Sequence, residues 1–144
     1  MKITIRKATL VEYPTIISLL ASHHLPTSDI GQSAIELFVA LINNEIIATV
    51  GIEEYGSIGL LRSLSVKENF KNQKIGEAML EKINELCVQE GISDLYLLTT
   101  TAEHYFEKHG FSKVERTNVP EPIKQTREFN DICPSSAIIM CLKK

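Results

Sequence analysis

The chain has 144 residues, 44% of them hydrophobic and 23% charged, which suits a single domain spanning residues 1–144 with a full hydrophobic core. Its net charge of -3 gives no reason to expect a nucleic acid or an anionic membrane as partner, because both attract clustered positive charge. Three scattered cysteines, Cys87, Cys133 and Cys141, are too few for a disulfide framework or a zinc site. The N-terminus lacks an apolar signal core, and no apolar run approaches the ~20 residues of a membrane span, so we expect a reducing, cytoplasmic setting.

The first half of the chain predicts hairpin strands around one early helix. Pro14 suits a first helical turn, and Asn43 and Asn44 tolerate the left-handed conformations of a tight turn between two apolar runs. The predicted elements are a strand in 3–8, a helix in 11–22, a polar loop in 23–33, and strands in 36–42, 45–55 and 57–66.

The second half alternates helices with strands. Apolar residues at helical spacing begin at Ile75, and Gly91 is placed to end that helix as a left-handed cap. Further predicted elements are a strand in 94–99, a threonine-capped helix closed by Gly110, a strand in 112–116, a short helix in 120–129 and a last strand in 137–144. This order indicates a mixed α/β domain with a strand-helix-strand crossover.

The segment FKNQKIGEAML, residues 70–80, favours an anion site. A strand ends at Val66, a polar turn follows, and the next helix starts near Gly76. At such a helix start, free backbone N–H groups point at one spot and the helix dipole favours negative charge. The alternative is that Gly76 serves packing and that Lys71 and Lys74 are solvated.

Three segments resemble the GNAT superfamily of acetyl-CoA-dependent N-acetyltransferases: LRSLSV, FKNQKIGEAMLEKI and LYLLTTTAEHYFEKHGF. The family signature is Gln/Arg-x-x-Gly-x-Gly/Ala after a strand. In the register set by the following helix, Lys71 takes the Gln/Arg position, Lys74 the first glycine and Gly76 the second. A shift by two residues fits the letters with Gln73, Gly76 and Ala78. We prefer the first register, because backbone amides bind the phosphate and most residue types supply them.

The resemblance implies a fold and an activity. The fold is α/β (mixed α+β), with a mostly antiparallel twisted sheet of six to seven strands, splayed in the middle and flanked by about four helices. The arsenic-resistance N-acetyltransferases are the subfamily that further segments resemble, namely LPTSD, GIEEYGSIGLLRSL and VPEPIKQTREFNDICPSSAIIM, and parts of the last are similar to glutamate N-acetyltransferases. The implied reaction moves an acetyl group from acetyl-CoA to the primary amine of a small, amino-acid-like acceptor. No metal is implied, and a homodimer is compatible with the family.

The resemblance also assigns the cofactor site. The main chain of the strand before the turn pairs with the pantetheine arm, and the turn amides hold the pyrophosphate. Lys67, Lys71 and Lys74 either attract the phosphates or form a solvated surface. The predicted cofactor-binding residues are Leu64, Ser65, Val66, Lys71, Asn72, Gln73, Lys74, Ile75, Gly76 and Glu77.

The catalytic groups are less well defined. GNAT enzymes often protonate the leaving thiolate with a tyrosine four residues before the glycine of a Tyr-x-x-x-Gly-Phe stretch, and Phe106 occupies that place here. Tyr105 is adjacent but rotated by roughly 100° on a helix, so it is either the acid or a wall of the site, with water as the other proton donor. Glu53 and Glu54 end a strand on opposite faces, and one is a candidate base, with ordinary surface charges as the alternative.

Arg62 and Thr99 are the candidate substrate-binding residues. Arg62 interrupts an apolar run and therefore needs an anionic partner, which is either a structural carboxylate of Glu53 or Glu54 or the carboxylate of the acceptor. Thr99 ends a strand, where it caps the next helix or faces the acetyl group. His23 and His24 either border the acceptor pocket or lie in an exposed loop.

Two further functions stay open from the sequence. Phe106 and Lys74 allow a protein that binds acetyl-CoA but catalyses weakly, as a sensor or interaction protein. An acetyltransferase that modifies proteins is the other, although the acidic chain offers no obvious docking surface.

Overall fold

The computed structural model describes residues 2–25, 27–31, 35–71, 73–126, 129 and 137–143. Asn72 and Cys133 lie outside them. The strands are β1 (Thr4–Lys7), β2 (Ile35–Ile42), β3 (Glu45–Tyr55), β4 (Ile58–Val66), β5 (Asp94–Thr99), β6 (Ser112–Val114) and β7 (Ile138–Lys143). The α-helices are α1 (Tyr13–Ser22), α2 (Ile75–Glu90), α3 (Glu103–Lys108) and α4 (Glu121–Lys124).

Within these residues the seven strands form one sheet in the order β1-β2-β3-β4-β5-β7-β6. Every neighbouring pair is antiparallel except β4 and β5, which run parallel and are joined through α2. The predicted mixed fold with a mostly antiparallel sheet and one crossover is confirmed. None of the described helices is long and apolar enough to cross a membrane.

Local turn signals determine several of these boundaries. Asn43 and Asn44 adopt φ angles of 52° and 65° between β2 and β3, the left-handed pair expected of a tight hairpin. Gly91 ends α2 at φ 71° and donates its N–H to the carbonyl of Cys87. Both predictions are confirmed.

The end of the chain has shorter elements than the sequence predicts. The strand β6 stops at Val114, its last residue paired with β7, and Arg116 belongs instead to a 3-10 helix. The helix α4 spans a single turn.

Three clusters of buried side chains cover the two faces of the sheet. The largest lies under α2 and α3 and includes Met79, Ile83 and Phe106. A second packs Ile16 and Leu20 of α1 against β2, and a third packs α4 against β4, β5 and β7.

The separation of β4 and β5 creates an opening in the middle of the sheet. The two strands pair only from Ile58 to Leu60, although β4 continues to Val66 and β5 to Thr99. A β-bulge lies in the part of β4 that pairs with β3 but no longer with β5. In this bulge Ser63 adopts a φ of 57°. Bulges bend and twist the strand that carries them, so the bulge favours the divergence of β4 from β5.

Candidate functional site

A cleft of about 810 Å³ occupies the space between the separated strands. Its wall is formed by residues 61–66 of β4, residues 97–102 at the end of β5, Phe70, Lys71, residues 74–77, residues 105–106 of α3, and residues 23–25 after α1. Most of the predicted site is thus brought together. Gln73 and Glu53 are described but do not line the cleft, and Asn72 lies outside the described residues.

One end of the cleft is the start of α2. Lys74 is the N-cap residue, with a left-handed conformation at φ 62° and ψ 22°, and its carbonyl accepts the N–H of Ala78. Glycine adopts this conformation at no steric cost, which explains physically why the family signature has glycine at this place. The first N–H groups of α2 have no partner within the helix, so they are available to an anion in the cleft.

Lys74→Gly should keep acetyl-CoA affinity within about 5-fold. The variant loses at most an exposed ion pair between Lys74 and a phosphate, which contributes only ~0 to 1 kcal/mol, while the backbone amides stay in place. Its stability should be equal to or slightly above that of the wild type, because glycine relieves the left-handed strain of ~1 to 2 kcal/mol and costs ~1 kcal/mol in chain entropy. Calorimetry and denaturant unfolding measure the two quantities. Lys74→Val is the matched control. If the two variants have equal free energies of unfolding, the left-handed conformation at position 74 is not strained.

Gly76 lies in the first turn of α2, close to the hydroxyl end of Tyr105. A Cβ atom at this position would come within 2.5 Å of the Tyr105 hydroxyl. The packing interpretation of Gly76 is therefore correct, and it coexists with an anion site, because the residue also lines the cleft.

Tyr105 and Phe106 both line the cleft but have different surroundings. Phe106 is buried and meets Phe111 edge to face with ring centroids 5.5 Å apart. The position that often holds a catalytic tyrosine in GNAT enzymes is therefore part of the hydrophobic core here. Tyr105 is half-buried, and burial followed by the negative charge of Glu77 raises the pKa of its hydroxyl. The hydroxyl therefore keeps its proton at neutral pH, next to the start of α2.

Arg62 is held in a buried ion cluster. Its guanidinium donates to both oxygens of Asp29 at 2.5 and 2.6 Å and to Glu53 at 2.7 Å. The hydroxyl of Tyr55 donates to the other oxygen of Glu53. The structural salt bridge to Glu53, one of the two interpretations of Arg62, is confirmed, and Asp29 is a partner that the sequence did not indicate.

Glu53 and Glu54 point to opposite faces, as predicted. Glu53 has both carboxylate oxygens engaged by Arg62 and Tyr55, so its role as a base stays a prediction that this geometry does not favour. Glu54 lies beside Glu36, and burial followed by that neighbouring carboxyl raises the pKa of Glu54 to about 7. Glu54 does not line the cleft.

Thr99 makes a local hydrogen bond in the turn between β5 and α3. Its hydroxyl oxygen accepts the N–H of Ala102 at 3.0 Å, just before α3. The predicted threonine cap is wrong, because the N-cap residue of α3 is Ala102 and no side chain caps the helix. Thr99 also lines the cleft, which leaves its contact with a substrate as a prediction.

Two of the candidate phosphate-binding lysines have carboxylate neighbours. Lys67 lies 2.7 Å from Glu45, and Lys71 lies 3.1 Å from Glu68. Both pairs are exposed and therefore weak, so a phosphate could compete for either lysine.

His23 makes a contact that sequence patterns did not indicate. Its Nδ1 is hydrogen-bonded to the hydroxyl of Ser65, and its Nε2 lies 3.5 Å from Glu68. The sequence indicated that His23 borders the pocket only through the resemblance to the GNAT family. Its hydrogen bond to Ser65 could not be predicted, because Ser65 is 42 positions away in the chain. No group of three metal-ligating side chains occurs in the part of the chain that the structure describes.

Comparisons with known proteins agree with this arrangement. An amino-acid acetyltransferase of Escherichia coli (strain K12) is 35% identical over 72 residues, which are 50% of this chain and 16% of that protein. The corresponding protein of Pasteurella multocida is 26% identical over 149 residues, covering 97% of this chain and 33% of its own length. The chain thus spans a third or less of these relatives.

The fold has a solved counterpart in N-acetylglutamate synthase from Neisseria gonorrhoeae, complexed with coenzyme A and N-acetyl-glutamate. The TM-score is 0.81 at 18% identity, over 99% of this chain and 35% of that one. The model of the acetyltransferase (GNAT) domain family matches residues 33–113, more than half of the chain. The protein therefore belongs to the acetyltransferase (GNAT) domain family.

Proposed function

We propose that the protein is an acetyl-CoA-dependent N-acetyltransferase that acetylates the primary amine of a small, amino-acid-like acceptor. The observation that carries the proposal is a continuous cleft from the unpaired part of β4 to the free amides at the start of α2. That shape suits a long cofactor with an anionic group at one end and a thioester at the other.

The residues present fit acetyl-CoA, which would supply an activated acetyl group as a thioester. Among the described residues, the β5 side of β4 has no strand partner beyond Leu60, so main-chain groups of Leu64, Ser65 and Val66 can pair with the amides of a pantetheine arm. The turn amides near Lys74 and Gly76 can hold the pyrophosphate. Each such bond contributes ~1 kcal/mol, and more when the acceptor is charged.

The acceptor class rests on the relatives, which are named amino-acid acetyltransferases, and on the polar groups of the cleft. Arg62 stays a proposed contact for an acceptor carboxylate, and that contact requires Asp29 to release one side of the guanidinium. Membership of the arsenic-resistance subfamily, a homodimer and a cytoplasmic location also remain predictions from the sequence.

Multiple-turnover release of free CoA tests the function. The protein is mixed with acetyl-CoA and a panel of amines that includes amino acids and arsenic-containing analogues, with an amine-free reaction as control. We expect at least one amino-acid-like amine to raise CoA release well above the control. Tight acetyl-CoA binding without amine-dependent turnover would instead support the sensor or interaction protein, the alternative that Phe106 and Lys74 leave open.

A further inference from the structure

We infer that His23, Ser65 and Glu68 form a proton relay that takes the proton from the acceptor amine during acetyl transfer. The inference rests on the proposed function and assigns a base to it. Ser65 and His23 line the cleft, and Glu68 is a positioning residue that acts on His23.

The geometry places the relay in the wall of the cleft, close to the bulge of β4. Ser65 lies on β4, two residues after the bulge at Ser63, and its hydroxyl is hydrogen-bonded to Nδ1 of His23. The imidazole is 21% exposed, which gives it contact with solvent in the cleft. Glu68 lies 3.5 Å from the opposite ring nitrogen, Nε2.

This order of groups matches the logic of a hydroxyl activated by a histidine that a carboxylate orients. Glu68 favours the tautomer with the proton on Nε2, and Nδ1 then accepts the proton of the Ser65 hydroxyl. A hydroxyl that has a base behind it can in turn accept a proton from an amine.

The reaction balances with these groups. The amine nitrogen forms a bond to the acetyl carbon, and the carbon–sulfur bond breaks, with its electron pair leaving on sulfur. The amine proton passes to the Ser65 oxygen as the Ser65 proton passes to Nδ1 of His23. The imidazolium later returns its proton to bulk water, and the thiolate takes one proton from water, so no net proton is gained or lost by the protein.

Other proton acceptors near the cleft are less suitable. Both oxygens of Glu53 are engaged, and Glu54 does not line the cleft. Tyr105 keeps its proton, because its pKa is raised. His24 also lines the cleft, but it is exposed, and it is His23 whose ring nitrogen is hydrogen-bonded to Ser65.

The buried surroundings of Ser65 contain a second hydroxyl, that of Thr49. Thr49 stands opposite Ser65 in the β3–β4 register and is fully buried, yet its hydroxyl has no hydrogen-bond partner among the described residues. A buried unsatisfied hydroxyl costs ~1 to 3 kcal/mol, so packing alone does not favour polar groups in this corner. The charged groups that face His23 are Glu68 and, through Glu68, Lys71.

The test is the pH dependence of kcat and kcat/KM for His23→Gln, Ser65→Ala and Glu68→Gln in the full chain, with the best amine of the panel. His23→Gln and Ser65→Ala should each lower kcat by ~100-fold, because a general base contributes about that factor, and remove the acidic limb of the kcat profile. Glu68→Gln should lower kcat only a few-fold, because its side chain is 81% exposed. His104→Gln is the matched control, since His104 is a surface histidine whose side chain is 94% exposed.

Melting curves and acetyl-CoA calorimetry on the same variants separate a chemical effect from a structural one. Unchanged melting and affinity together with the lost acidic limb would support the relay, and Ser65→Ala provides the evidence if His23→Gln does not fold. If the acidic limb of the kcat profile persists in His23→Gln but disappears in Glu54→Gln, the base is Glu54 and the relay is overturned. A wild type that binds acetyl-CoA without amine-dependent turnover would overturn the proposed function together with the relay.

Discussion

Gly76→Asp should reduce acetyl-CoA affinity by at least ~100-fold, or about 3 kcal/mol. The new Cβ would come within 2.5 Å of the Tyr105 hydroxyl, so the α2 start or the α3 ring must move. The carboxylate would also compete with the pyrophosphate for the same N–H groups and repel its charge. Isothermal calorimetry with acetyl-CoA measures the loss, and a melting curve verifies that the variant is folded.

Steric and electrostatic causes can be separated with Tyr105→Phe, which removes the atom that a Cβ at Gly76 would meet. Gly76→Ala should weaken binding, and adding Tyr105→Phe should restore much of it. Gly76→Asp with Tyr105→Phe should stay weak, because the charge remains. Unchanged affinity in a folded Gly76→Asp protein would remove the pyrophosphate from this turn.

Arg62→Ala should lower the free energy of unfolding by about 3 to 5 kcal/mol, because it leaves Asp29 and Glu53 buried without their cation. The guanidinium is 1% exposed and lies within 2.7 Å of both carboxylates, so little solvent screens the loss. Urea unfolding at neutral pH measures the change. The expected loss is a large part of the stability of a domain of this size.

The matched control is Lys67→Ala. Lys67 lies 2.7 Å from Glu45, the same distance as the Arg62 to Glu53 pair, but both side chains are exposed. Its loss should cost no more than ~1 kcal/mol. A stable Arg62→Ala protein whose only defect is a raised KM for the acceptor would contradict the structural role and favour the carboxylate contact.

Much of the fold could be predicted because its signals are local. The left-handed pair Asn43 and Asn44, the cap at Gly91 and the helical spacing from Ile75 are each encoded within a few residues. The position of Lys74 at the first-glycine place of the signature is consistent with its left-handed conformation. Such features depend on backbone preferences that the sequence carries directly.

The polar contacts of the site could not be predicted in the same way, because they join distant segments. Asp29 meets Arg62 across 33 positions, and His23 meets Ser65 across 42. Neither pair has a spacing that a helix or hairpin would impose, since both depend on how the segment after α1 packs against β4. The bulge at Ser63 was also missed, because serine is not a residue that marks a left-handed position.

The most direct test of the acetyl-CoA site is a crystal structure of the protein with bound CoA. We expect the pantetheine arm to pair with the main chain of residues 64–66 and the pyrophosphate to accept N–H groups of the turn that ends at Gly76. The thiol should lie near the bulge at Ser63, within reach of Ser65 and His23. A CoA molecule bound outside the cleft between β4 and β5, or a pyrophosphate with no contact to the start of α2, would contradict the proposed cofactor site.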